Sequence, residues 1–124
     1  MTTDQSLRAL SAIRLGVGLT SWLTPNVGGK LFGLDPAGNP QAPYFARLFG
    51  IRDVALAIGA MQSTGEARRQ WLQLGVLCDA ADVGAAVFGR KGGYLSTPTA
   101  ILVGGVAAVA TALGAQALQA PDEG

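Results

Sequence analysis

Four apolar segments, each close to twenty residues long, constrain this chain more than any other feature. A helix needs about 20 apolar residues to cross a bilayer, within a range of about 17 to 25. Only 14% of the 124 residues are charged, whereas soluble domains average about 25%. We therefore predict a single all-α domain over residues 1–124, an integral membrane up-down four-helix bundle. The predicted spans are Leu7 to Leu23, Tyr44 to Gln62, Trp71 to Phe88 and Thr97 to Leu118.

The composition of these segments is typical of packed membrane helices. Glycine accounts for 18 residues, and small residues let helix backbones approach closely. The links "STGEARRQ" and "GRKGGYLS" are short, which predicts antiparallel neighbours, and the proline-rich stretch between the first two segments predicts a connector. The fourth segment has no charge and carries a small residue at every fourth position, which predicts a close-packing stripe. That stripe is Ala100, Gly104, Ala108 and Ala112.

Composition also excludes several classes of function. The formal net charge is +1, and no cluster of lysine and arginine alternates with aromatic residues, so we expect no nucleic-acid binding. Cys78 is the only cysteine, and the chain contains no histidine. These counts remove the usual zinc, haem, Ser-His and Cys-His arrangements, so we expect no metal ion and no cofactor. The expected location is the cell membrane, crossed several times.

Five charged side chains fall inside the predicted spans at similar depths. With a rise of about 1.5 Å per residue, all five lie roughly 10 to 16 Å into the bundle from the side of the termini. A charge in hydrocarbon costs about 2.5 to 3.5 kcal/mol, so such residues normally face the bundle interior and pair. We predict that three helices bring the five together in one buried polar centre. They are Arg14, Arg52, Asp53, Asp79 and Asp82.

The charges of this polar centre indicate acid-base chemistry. Two arginines and three carboxylates sum to −1, so repulsion and desolvation favour the protonated form of one aspartate. All five residues are therefore candidate catalytic residues. The alternative is that the same network is structural and fixes the register of the helices. Arg47 lies closer to the opposite headgroups, where its long side chain can snorkel; if it joined the centre, the sum would be zero.

Three stretches of the chain resemble a family of small bacterial four-span membrane proteins of unknown function. They are "FGLDP", "NPQAPYFARLFGIRDVAL" and "DAADVGAA", and "ARLFGIRD" is the most distinctive portion. The chain also looks loosely like the DoxX-like group of compact four-helix membrane proteins. The resemblance covers nearly the whole chain. It implies the four-span topology, but it implies neither a reaction nor a set of catalytic residues.

The leading functional hypothesis is a membrane pocket that performs acid-base chemistry on a lipophilic small molecule. Carboxyl groups can donate or remove protons, and arginine can stabilise a polar substrate group, which suits epoxide opening, isomerisation or cyclisation. The enzyme would be a cofactor-independent hydrolase, isomerase or cyclase. An Asp-Arg-Asp set is similar to that of limonene-epoxide-hydrolase-type enzymes, in chemistry only.

Two alternatives to an enzyme remain open. The first is a non-catalytic accessory or assembly subunit of a membrane complex. The second is a transporter or proton channel, which is weaker because no pair of broken helices is visible in the sequence. The expected partners are membrane lipid, a lipophilic small molecule and a second copy of the chain, bound through small-residue helix faces.

Overall fold

The computed structural model of the protein describes residues 2–119, and these residues contain helices and no strand. This confirms the all-α prediction. Four helices are long and correspond to the four apolar segments, and a fifth, short helix follows the first. The helices are α1 (Thr3–Leu23), α2 (Pro25–Leu31), α3 (Ala42–Gln62), α4 (Gly65–Lys91) and α5 (Thr97–Ala117).

Helix α4 begins well before the third apolar segment. The prediction of a loop over "STGEARRQ" is wrong for most of its length, because only Ser63 and Thr64 separate α3 from α4. Glu66 lies in the first turn, where the positive end of the helix dipole favours a carboxylate. Alanine, arginine and glutamine are strong helix formers, so the rest of this stretch is helical although it is polar.

The connector between α1 and α3 contains α2, which the sequence prediction treated as part of a proline-rich link. Pro25 occupies the first turn of α2, where a missing N–H costs no helical hydrogen bond. Gly28 and Gly29 are buried. A Cβ atom added to Gly28 would lie 2.7 Å from the Oγ of Ser21, so glycine is what lets α2 lie directly against α1.

The four long helices form a ring in chain order. α1 packs on α3 and α5, and α4 packs on the same two helices, so α1 and α4 face each other across the bundle. Gly18 and Gly50 mark a close crossing of α1 and α3. A Cβ atom on either glycine would lie 2.6 Å from the carbonyl oxygen of the other. Small residues therefore permit the close helix packing expected from the composition.

An apolar core lies at the end of the bundle where α1 begins and α5 ends. Its buried members are Leu10, Ala60, Leu72, Ala110 and Ala117.

The small-residue stripe of α5 has a different register from the predicted one. Ala108 and Ala112 are exposed. Because α5 carries small residues on most of its faces, sequence periodicity alone could not identify the packed face. The residues of α5 that are buried are Ala107, Ala110, Gly114 and Ala117.

The outer surface of the bundle is rich in large apolar side chains on every helix. Examples are Leu23, Val27, Ile51, Leu77 and Ile101. Helices α4 and α5 are each long and apolar enough to cross a membrane, and fewer than a third of the residues in their most apolar stretches are buried. That the chain crosses a membrane four times stays a prediction.

Candidate functional site

The structure brings the five predicted polar residues together from three helices. Arg14 comes from α1, Arg52 and Asp53 from α3, and Asp79 and Asp82 from α4. Each arginine forms an ion pair with at least one of the aspartates. The cost of leaving charges unpaired in an apolar bundle accounts for this convergence.

Arg14 and Asp79 form an ion pair across the diagonal of the bundle. The Nη2 of Arg14 donates a hydrogen bond to the Oδ2 of Asp79, and the two side chains are 2% and 7% exposed. Arg14 can reach across because α4 has Gly75 opposite it. A Cβ atom on Gly75 would lie 2.6 Å from the Nη1 and 2.8 Å from the Cζ of Arg14. The guanidinium group therefore lies flat against a bare stretch of the α4 backbone.

Arg52 pairs with Asp82 at the side of the bundle where α3 meets α4. Its Nη1 and Nη2 donate to the two carboxylate oxygens of Asp82 at 3.2 and 2.6 Å. The Arg52 guanidinium also lies 4.7 Å from the ring centre of Phe49, a distance typical of a cation–π contact. Both side chains of this pair are about a third exposed, so the pair is less desolvated than Arg14 and Asp79.

Asp53 is the carboxylate that is held least firmly. It is buried, and its hydrogen bond comes from the Nη2 of Arg52 at 3.4 Å, longer than the bonds that Arg52 makes to Asp82. Two guanidinium groups serve three carboxylates, and the geometry assigns one guanidinium each to Asp79 and Asp82. Asp53 is therefore the surplus acid of the polar centre.

Arg47 stays outside the polar centre. Its Nε donates a 3.0 Å hydrogen bond to the backbone carbonyl of Trp22, and its guanidinium lies 5.9 Å from the Trp22 ring centre. Arg47 is exposed near the start of α3. The net charge of the polar centre is therefore set by its own five groups, without a contribution from Arg47.

A cavity of about 290 Å³ opens beside the polar centre. Arg14, Asp53, Asp79 and Asp82 line one part of it, and most of the remaining wall is apolar. The apolar wall comes from all five helices and from the segment that follows α2. It includes Ile13, Val17, Phe32, Leu34, Phe45, Phe49, Ala85, Val103 and Val106.

The cavity reaches from the polar centre to α2 and to the segment that follows it. On α3 its lining residues are Phe45, Ala46, Phe49 and Asp53. Phe45, Phe49 and Asp53 are four residues apart and so share one helix face. Sequence reasoning singled out the charges and missed this aromatic wall, although the four-residue spacing was a signal for it. It also missed α2, whose Gly28 and Gly29 contribute lining without filling the space.

The arrangement combines an open, mainly apolar cavity with carboxyl and guanidinium groups at one end. Predominantly apolar pockets with a few convergent polar groups are typical small-molecule sites. Carboxyl groups next to guanidinium groups can exchange protons with a bound molecule and stabilise charge that develops on it.

Comparisons of this chain with protein-family models, with curated proteins and with solved structures return no match, so the resemblance to the four-span family stays a prediction.

Proposed function

We propose that this protein is a multi-pass integral membrane bundle whose cavity binds a lipophilic small molecule and performs acid-base chemistry on it. The observation that carries the proposal is the cavity itself, in which three carboxylates and a buried arginine form one end of an otherwise mainly apolar chamber.

The membrane part of the proposal is supported by the distribution of polarity. Arg14, Asp53 and Asp79 are buried, and the buried core contains more alanine than large apolar residues. Large apolar side chains such as Leu77 and Ile101 point outward instead. Soluble monomers rarely expose large contiguous apolar areas, whereas lipid is the natural solvent for such a surface. The length and apolarity of α4 and α5 agree with this.

The chemical part of the proposal assigns different roles to the three carboxylates. Asp79 and Asp82 hold Arg14 and Arg52 in place through ion pairs. Asp53 lines the cavity and lacks an arginine of its own, so it is the group that gives or takes the proton of the reaction. Arg14 also lines the cavity and can stabilise negative charge on a substrate oxygen. Epoxide opening, isomerisation and cyclisation require such groups.

The proposal is tested by two substitutions on α5 and one on α3. Val103 lines the cavity, whereas Val109 is exposed on the outer surface of the same helix. Purified protein in lipid nanodiscs would be incubated with a panel of isoprenoid epoxides and ketones, and products would be identified by gas chromatography and mass spectrometry. We expect wild type and Val109→Phe to convert a substrate, and Val103→Phe and Asp53→Asn to be folded but inactive. Equal conversion by Asp53→Asn and wild type would refute the assigned role.

A non-catalytic accessory subunit is the second candidate. It is supported by the pairing of Asp79 and Asp82 with arginines, since buried ion pairs can serve to fix helix register. In that case Val103→Phe and Asp53→Asn would alter stability or assembly, and no member of the panel would be converted by any variant.

A further inference from the structure

Arg14 has hydrogen-bonding capacity that its ion pair does not use. Its side chain is 2% exposed, and its Nη2 donates to Asp79. Its Nε and Nη1 are buried and have no hydrogen-bond partner among the described residues. Buried N–H groups without a partner cost free energy, so they mark a place where an acceptor would be bound favourably. Since Arg14 lines the cavity, a small shift of its guanidinium would bring these N–H groups to an acceptor on a molecule inside it.

The charge of the surroundings restricts the kind of acceptor. The polar centre contains the guanidinium groups of Arg14 and Arg52 and the carboxyl groups of Asp53, Asp79 and Asp82. With every group ionised this is an excess of one negative charge. A carboxylate or phosphate on the bound molecule would meet that excess in a poorly solvated space and would be repelled. A neutral oxygen accepts the same hydrogen bonds without this penalty.

The size and lining of the cavity restrict the rest of the molecule. A volume of about 290 Å³ is far above the roughly 10 to 15 Å³ that one water molecule requires, and it is enough for a compact organic molecule. Beyond the polar centre, the wall is formed mainly by aliphatic and aromatic side chains such as Val17, Phe32 and Phe45. Such a wall favours a hydrocarbon body.

We infer that the cavity takes a neutral, mainly hydrocarbon molecule bearing one ketone, epoxide or ether oxygen, which accepts hydrogen bonds from the Nε and Nη1 of Arg14. This inference rests on the proposed function and names the substrate class of the same site. It makes Arg14 the residue that sets the position of the oxygen relative to Asp53.

Three probes that share one monoterpene ring skeleton separate these features. Limonene is a hydrocarbon, carvone carries a ketone, and perillate carries a carboxylate. Their affinities would be measured by isothermal titration with the full-length protein in lipid nanodiscs, with empty nanodiscs subtracted. We expect carvone to bind at least about tenfold more tightly than limonene, the effect of one hydrogen bond to a charged donor, and perillate to bind more weakly than carvone.

A double variant tests whether Arg14 is the donor. In Arg14→Met/Asp79→Leu both members of the ion pair are replaced by apolar groups, which often leaves a buried site folded. We expect this variant to bind limonene at least as well as wild type does and to lose the preference for carvone. The matched control is Asp4→Leu/Arg8→Met, which removes an exposed ion pair near the N-terminus and should keep the preference.

The outcomes distinguish this inference from the proposed function. Equal affinities for carvone and limonene in wild type would overturn the role of Arg14 while leaving an apolar pocket in place. Tighter binding of perillate would overturn the inference of a neutral oxygen. If none of the three probes binds, the small-molecule pocket and the inference both fail.

Discussion

Replacing Gly75 by alanine tests the position of the Arg14 guanidinium with a single methyl group. A Cβ atom at this position would lie 2.6 Å from Nη1 and 2.8 Å from Cζ, both closer than Cβ atoms approach other atoms in real structures. The guanidinium must therefore move away from α4. Because the moving group is the one that donates to Asp79, we expect Gly75→Ala to weaken or break the buried ion pair.

The matched control is Gly84→Ala on the same helix, where an added Cβ has no atom within 4 Å. Each substitution replaces glycine by alanine inside a helix and gains about 1 kcal/mol of helix propensity. Only Gly75→Ala also loses a hydrogen bond between charged groups, worth about 1.5 to 3 kcal/mol. The propensity gain cancels in the comparison. We therefore expect the free energy of unfolding of Gly75→Ala to be about 1.5 to 3 kcal/mol below that of Gly84→Ala.

Equilibrium unfolding in detergent, followed by circular dichroism, measures this difference. The same pair of substitutions in an Arg14→Ala/Asp79→Ala background should show little difference, because no guanidinium is left to displace. If Gly75→Ala and Gly84→Ala were equally stable in the wild-type background, Arg14 would not lie against α4 as the structure has it.

Two further substitutions probe the ion pairs and the outer surface. Asp79→Asn leaves the buried Arg14 without its partner and should lower the free energy of unfolding by about 3 to 5 kcal/mol. Asp82 belongs to a pair that is about a third exposed, so Asp82→Asn should lower the free energy of unfolding by about 1 kcal/mol or less. Denaturant titration of both variants measures this, and equal losses would contradict the difference in burial. Leu77→Arg places a charge on the exposed apolar face at the middle of α4, which should make the free energy of membrane insertion about 2.5 to 3.5 kcal/mol less favourable. Ala67→Arg, near the start of α4, should leave this free energy unchanged. Quantifying both variants in the membrane fraction tests this, and normal insertion of Leu77→Arg would speak against lipid contact.

The convergence of the polar residues was predictable because it follows from a large energetic penalty. Charges at one depth in apolar helices must meet, whatever the details of packing. The individual pairs were not predictable, because they depend on the rotation of each helix about its axis and on single contacts. Arg14 reaches Asp79 only because Gly75 leaves room, and that contact is not visible in the spacing of the charges.

Helix α2 and the packed face of α5 show where local patterns give too little information. The seven residues of α2 include two glycines, which disfavour an isolated helix, and its burial against α1 and α3 supplies what local propensity lacks. On α5, Ala107 is buried and Ala108 is exposed, although both residues are alanine. A run of alanine and glycine fits several rotations of the helix, and only the neighbouring helices select one.

The diagonal ion pair also has a consequence for the order of events during biosynthesis. Arg14 and Asp79 are 65 residues apart in the chain, so α1 leaves the ribosome long before α4 has been made. In a bilayer, a newly inserted α1 would carry an uncompensated charge, at a cost of about 2.5 to 3.5 kcal/mol, until α4 arrives. The first helix would therefore be retained beside the insertion machinery or held loosely, and it would become committed to the bilayer only when the third long helix supplies its counterion.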